Sequence, residues 1–182
     1  MQEYPEDIII TFDDDTIYRN FIIEQLYKSY IKHPDCVSAM RVITMNILPD
    51  GSFAKPLWYL QPENSLGRVS HSFFATGVGG VLYPPHSMHR ETFNIEAIKK
   101  LCPHTDDTWL KIMEAMEGVK VASASNYKQT QGWQAFNSQQ YALCTINVGE
   151  RRDIVELNAA LNYYSGWRDS QGRTLLEVIR EN

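Results

Sequence analysis

Asp7-Ile8-Ile9-Ile10-Thr11-Phe12 is a short, β-branched apolar run close to the N-terminus. Its unbroken hydrophobicity predicts a strand buried on both faces, as in the parallel sheet of an α/β fold. Three aspartates, Asp13-Asp14-Asp15, end it abruptly. After them Ile17, Phe21, Ile22, Leu26, Tyr30 and Ile31 recur at helical spacing up to Pro34. That spacing predicts an amphipathic helix with Asp15 or Thr16 as N-cap. Cys36 to Leu48 reads as a second extended segment and Pro49-Asp50-Gly51 as a turn. Lys55 to Leu60 reads as a hairpin return or as irregular chain, and the polar stretch Gln61 to His71 as a surface loop.

Ser72 to Thr76 leads into Gly77-Val78-Gly79-Gly80 and then Val81-Leu82-Tyr83-Pro84-Pro85. A short helix is predicted from Asn94 to Leu101, capped by Asn94, and a second from Asp106 to Met116 with Trp109, Ile112, Met113 and Met116 on one face. Val119 to Ala122 predicts a short strand. Ser123 to Ser138, rich in Ser, Asn and Gln, predicts a mobile surface segment. A helix from Arg152 to Tyr164 and a shorter one after Gly172 close the chain. With no internal repeat and no linker composition, residues 1–182 read as a single α/β domain.

Composition narrows the function. A net charge of -5, with Arg151-Arg152 as the densest basic pair, supplies no field for phosphate backbones and argues against a nucleic-acid partner. Cys36, Cys102 and Cys144 are scattered without a C-x-x-C spacing, which argues against a disulfide framework and a zinc site. The acidic, polar first residues are unlike a signal peptide, and no apolar run reaches the length of a membrane span. These features predict a soluble chain in a reducing, non-secretory compartment.

Three segments carry candidate chemistry. Asp13, Asp14 and Asp15 repel one another at the end of an apolar strand, the end at which α/β proteins bind ligands. A hard divalent cation offsets such crowding and leaves positions for phosphate oxygens; the alternative is that Asp15 caps a helix and its neighbours are solvated. Thr76-Gly77-Val78-Gly79-Gly80 permits positive φ and close backbone approach. The alternative there is a tight turn between strands, since Pro84-Pro85 stands where a phosphate-binding helix would have to start. Asp106 and Asp107 complement a helix dipole, and a pair of acids allows one to cap while the other projects as a general base. Of the five histidines, His71 and His104 fall near these elements, and the set forms no H-x-x-x-H or H-E-x-x-H pattern.

Taken together, the segments resemble a family. Ile8 to Tyr18 looks like the strand and D-x-D motif of glycosyltransferases with the GT-A (nucleotide-diphospho-sugar transferase) fold. The onward spacing to Thr76–Pro85 and Thr105–Lys111 is similar to bacterial polysaccharide glycosyltransferases of the capsule and lipopolysaccharide type, over residues 4–122. The resemblance implies a mixed sheet flanked by helices, with Asp13, Asp14 and Asp15 on the donor ribose and diphosphate. Asp13 and Asp15 would hold Mn2+ or Mg2+, Thr76, Gly77, Gly79 and Gly80 would line the acceptor side, and Asp107 beside Asp106 would be the base. The partners implied are a nucleotide-sugar donor and a glycan or polysaccharide acceptor. The implied place is cytoplasmic, including a peripheral one at the inner membrane face. The D-x-D strand begins almost at Met1, so the chain is expected to lack the family's N-terminal nucleotide-binding half and to be the C-terminal catalytic and acceptor part. A late histidine metal ligand, frequent in that fold, has no counterpart after His104.

Two other readings compete. A haloacid-dehalogenase-type, Mg2+-dependent phosphatase also carries a D-x-D after its first strand, with Asp13 as nucleophile and Asp15 as acid-base. Thr16-Ile17-Tyr18 fits that pattern poorly. The third reading is an inactive, glycosyltransferase-like interaction module.

Overall fold

A computed structural model describes residues 1, 3–53, 62–126, 133–134 and 152–181. In chain order its strands are β1 (Ile9–Thr11), β2 (Thr16–Ile17), β3 (Cys36–Ala39), β4 (Val42–Thr44), β5 (Val69–Ser70), β6 (Phe73–Ala75), β7 (Val81–Tyr83), β8 (Lys120–Ser123) and β9 (Trp133–Gln134). The helices are α1 (Ile22–Lys32), α2 (Ile95–Leu101), α3 (Asp106–Glu117), α4 (Arg152–Tyr163) and α5 (Leu175–Arg180).

The central sheet runs β1-β7-β3-β8-β5. β7 is antiparallel to both β1 and β3, β8 is parallel to β3, and β5 is antiparallel to β8. The architecture is therefore α/β with a mixed sheet. Side chains alternate across β7, so Leu82 joins Ile22 and Leu26 of α1 on one face. Val81 and Tyr83 face the other side, against Leu110 of α3. A third core joins Ile43 of β4 and Phe74 of β6 to α2, α3, α4 and α5 through Leu101, Trp109, Ile112, Leu157 and Ile179.

Four expectations change. The apolar run before Asp13 is not a doubly buried strand of a parallel sheet: β1 is the last strand in the order, its neighbour is antiparallel, and Ile8, Ile9 and Ile10 are half-buried. It is apolar because both layers reach it, Ile9 packing with Val81 and Tyr83, and Ile8 and Ile10 with Leu82. The helix after the triplet starts at Ile22 with Phe21 as N-cap, so neither Asp15 nor Thr16 caps it. Thr16 and Ile17 are extended instead, paired with Gln134 and Trp133, as β-branched residues favour. The polar loop ends in β5 with Ser70 and His71 buried. Ser123 belongs to β8 and Ser125 is buried, because its hydroxyl bonds the Met40 carbonyl. Most of the rest of Ser123–Ser138, and the Lys55–Leu60 run, lie outside the described residues.

The helices follow their sequence signals. Asn94 Oδ1 accepts from the Ala97 amide at 3.1 Å, and a capping box joins Thr174 to Glu177 at the start of α5. Cys36 and Cys102 are free thiols, and burial pushes Cys102 up to about 12. Cys144 lies outside the described residues. Among the described residues no helix is long and apolar enough to cross a membrane.

Candidate active site

The antiparallel register pairs Thr11 with Val81. Residues just after Thr11 therefore lie beside residues just before Val81, which brings the aspartate triplet to the glycine turn. The turn is a single 3-10 turn, Gly77–Gly79, leading into β7. From the far side α3 begins with Asp106 and Asp107 in its first turn, and Asp107 Oδ1 accepts from the Gly77 amide at 2.9 Å. A Cβ on Gly77 would sit 3.0 Å from Asp107 Oδ1 and 3.2 Å from Asp13 Oδ1, so three separated segments meet at one point.

The glycines of the turn are closely packed. Gly80 has φ +88° and lies under the Phe12 ring, where a Cβ would come within 2.5 Å of Cε1. Phe12 in turn leans on Tyr18 with ring centroids 4.7 Å apart, and Tyr18 Oη accepts from the Asp13 amide at 3.0 Å. Gly79 is pressed against Arg41, and Thr76 is buried with its amide on the Arg41 carbonyl. Of the residues expected to line an acceptor cleft, Thr76, Gly79 and Gly80 are buried and Gly77 alone is partly open. Gly80→Ala is expected to cost about 2 kcal/mol, from left-handed strain and displacement of Phe12. Urea denaturation checks it, and a loss below roughly 0.5 kcal/mol would show that Phe12 swings away freely.

Burial pushes the Asp107 carboxyl up to about 7, and the charges of Asp106 and Asp13 add to the rise. The Gly77 amide and the Arg41 guanidinium pull the other way without winning. Asp13 is also raised, first by burial and then by Asp15, Asp106 and Asp14. Tyr83, deep in the sheet, is held neutral by burial and by the facing charges of Asp107 and Glu114. By surface area Asp13, Asp14 and Asp106 are all exposed and Asp107 is half-buried; Asp15 accepts from the Thr16 hydroxyl at 3.3 Å.

Among the described residues no three His, Cys, Asp or Glu side chains form a ready metal-ligand group. The donor chemistry nonetheless fits a hard cation. Asp13 and Asp15 offer carboxylate oxygens, and a divalent charge would offset both the partial desolvation and the neighbouring carboxylates that raise Asp13. Mg2+-type sites use one or two carboxylates and complete the shell with phosphate and water. His71 does not join them: burial, with Lys111 and Lys120 nearby, lowers it to about 4 and leaves it neutral. Glu156 of α4 reaches the turn just before the acid pair, bonding His104 and Thr105. It lies 52 positions from His104, and no local pattern could have found it. No protein-family model, curated protein or solved structure significantly matches the chain.

Proposed function

We propose that this chain is a GT-A-type glycosyltransferase, moving a sugar from a nucleotide-sugar donor to a glycan or other hydroxyl acceptor. One observation carries the reading. The three segments on which the resemblance rested, far apart in sequence, converge through Asp13, Gly77 and Asp107. The mixed sheet and its helical layers are compatible with the α/β class to which that fold belongs.

In this reading Asp107 is the base. A carboxylate with a pKa near 7 is matched to proton transfer at neutral pH. Gly77 holds Oδ1 in place, leaving Oδ2 to take the acceptor's hydroxyl proton as that oxygen bonds the anomeric carbon. The bond from that carbon to the diphosphate breaks, and the nucleoside diphosphate leaves. Asp13 and Asp15 would hold a divalent cation on the diphosphate, with Asp14 beside them. When bound, Mn2+ or Mg2+ supplies Lewis-acid stabilisation of the departing charge. Because Asp13 must be ionised to bind it, cation affinity should fall as pH drops and binding should release protons.

Calorimetry with Mn2+ and uridine or guanosine diphosphate tests this. Binding in the millimolar range or tighter, lost in Asp13→Asn, is expected; no binding at millimolar ligand would favour the inactive interaction module. The nearness of Asp13 and Asp107 also favours a second reading, a phosphatase with Asp13 as nucleophile and the later acids on Mg2+. Mg2+-dependent hydrolysis of p-nitrophenyl phosphate that vanishes in Asp13→Asn would replace the transferase reading with that one.

A further inference from the structure

We propose that Glu156, on α4, is a positioning residue that sets the place of Asp107, an inference that rests on the reading of Asp107 as the base. Its side chain is 8% exposed. A carboxylate withdrawn from water costs several kcal/mol unless donors satisfy it. Three donors come from the two residues before the acid pair. His104 Nδ1 lies 2.9 Å from Oε1, and the His104 amide donates to Oε2 at 3.4 Å. The Thr105 hydroxyl donates to Oε2 at 2.5 Å.

Thr105 is the N-cap of α3, yet its side chain makes no cap bond. Threonine ordinarily spends its oxygen on the helix's own first amides. Here the hydroxyl is turned outward to α4, so the first turn is tied to a neighbouring helix instead of to itself. One turn on, Trp109 Nε1 donates to the Thr92 carbonyl at 2.9 Å and holds α3 a second time. Asp106 and Asp107 lie between these two attachments. The Asp107–Gly77 bond depends on where that turn sits, and misplacing a catalytic group by about 1 Å costs roughly a hundredfold in rate. α4 lies outside residues 4–122, so the tether comes from a part of the chain that carries no motif.

The amide of Gly77 reports Asp107 directly, and NMR of the 15N-labelled full chain reads it without donor or acceptor. In Glu156→Ala its proton resonance is expected to move upfield and its hydrogen exchange to quicken by about tenfold or more, the equivalent of one lost charged hydrogen bond. Glu156→Gln keeps an oxygen for the Thr105 hydroxyl and should restore most of the wild-type signal. Ile179→Val, a truncation in the α5 core, should lower the melting temperature and leave the Gly77 resonance in place. An unmoved Gly77 in folded Glu156→Ala overturns the proposal, as does an equal movement in Ile179→Val. If Glu156→Ala does not fold, Thr105→Val breaks the same bond, and an unmoved Gly77 there overturns it equally. A chain that shows the Gly77 response but transfers no sugar removes the transferase reading alone. With transfer established, Glu156→Ala should lower kcat with donor KM unchanged.

Discussion

Asp107→Asn is expected to remove the proposed sugar transfer and to make the protein more stable, two effects of opposite sign from one side chain. The asparagine oxygen still accepts from the Gly77 amide, so geometry is kept. The proposed base is gone, and losing a general base costs about 10²–10⁴ in kcat/KM. In the wild type kcat/KM should rise with pH through about 7, because only the ionised carboxylate takes the proton.

Stability moves the other way for the same physical reason. The Asp107 pKa of about 7 in the fold lies above the ordinary carboxylate value in the unfolded chain. Between those values the folded state keeps a proton that the unfolded state has released. Wild-type stability therefore falls as pH rises from about 4 to about 7, and levels off above it. The charge accounts for up to about 4 kcal/mol at pH 8. Asn carries no such charge, so the variant should melt higher at pH 8 by up to about 10 °C, at roughly 2–4 °C per kcal/mol, and match the wild type near pH 4. Melting curves at both pH values check this. A variant equally destabilised at pH 4 and pH 8 would mean that burial of the charge is not what raises Asp107.

Lys111→Met is expected to destabilise the protein by about 3–5 kcal/mol, on the order of 10 °C in melting temperature. Lys111 Nζ lies 2.6 Å from Glu114 Oε1, and both side chains are nearly sealed from solvent, at 1% and 2% exposed. Burial raises the Glu114 carboxyl, and Lys111 is the charge that opposes the rise. Removing the lysine leaves that carboxyl dry and unpaired. Replacing both, Lys111→Met with Glu114→Leu, removes both desolvation costs and should return stability to within about 1 kcal/mol of wild type or above it. A double-mutant cycle by urea denaturation measures the coupling. A single-variant loss below about 1 kcal/mol would show that water reaches the pair.

The helices were the most legible part of the sequence. Asn94 before an apolar repeat, and Trp109, Ile112, Met113 and Met116 at helical spacing, are local signals that the fold keeps. α1 was misplaced at its start because Ile17 continues the helical repeat while its β-branched dipeptide pairs with Gln134 and Trp133 across the chain. Lys111 and Glu114 were indistinguishable from solvated surface charges, since their burial depends on α3 lying against other elements. The site residues were visible as types, with three acids after a strand, a glycine run and an acid pair at a helix start. Their partners were not visible, because Arg41 and Glu156 reach them from other segments.

By itself the sequence determined the elements whose signals lie within a turn or two, together with the oxygen-rich, carboxylate-crowded chemistry of the candidate site. Only the tertiary structure decided that the sheet is mixed, that β1 ends its strand order, and that Asp13, Gly77 and Asp107 share one point. The reason is physical. Periodicity and capping act over a few residues, whereas strand direction, desolvation and a carboxylate's pKa are set by whatever distant segment packs against it.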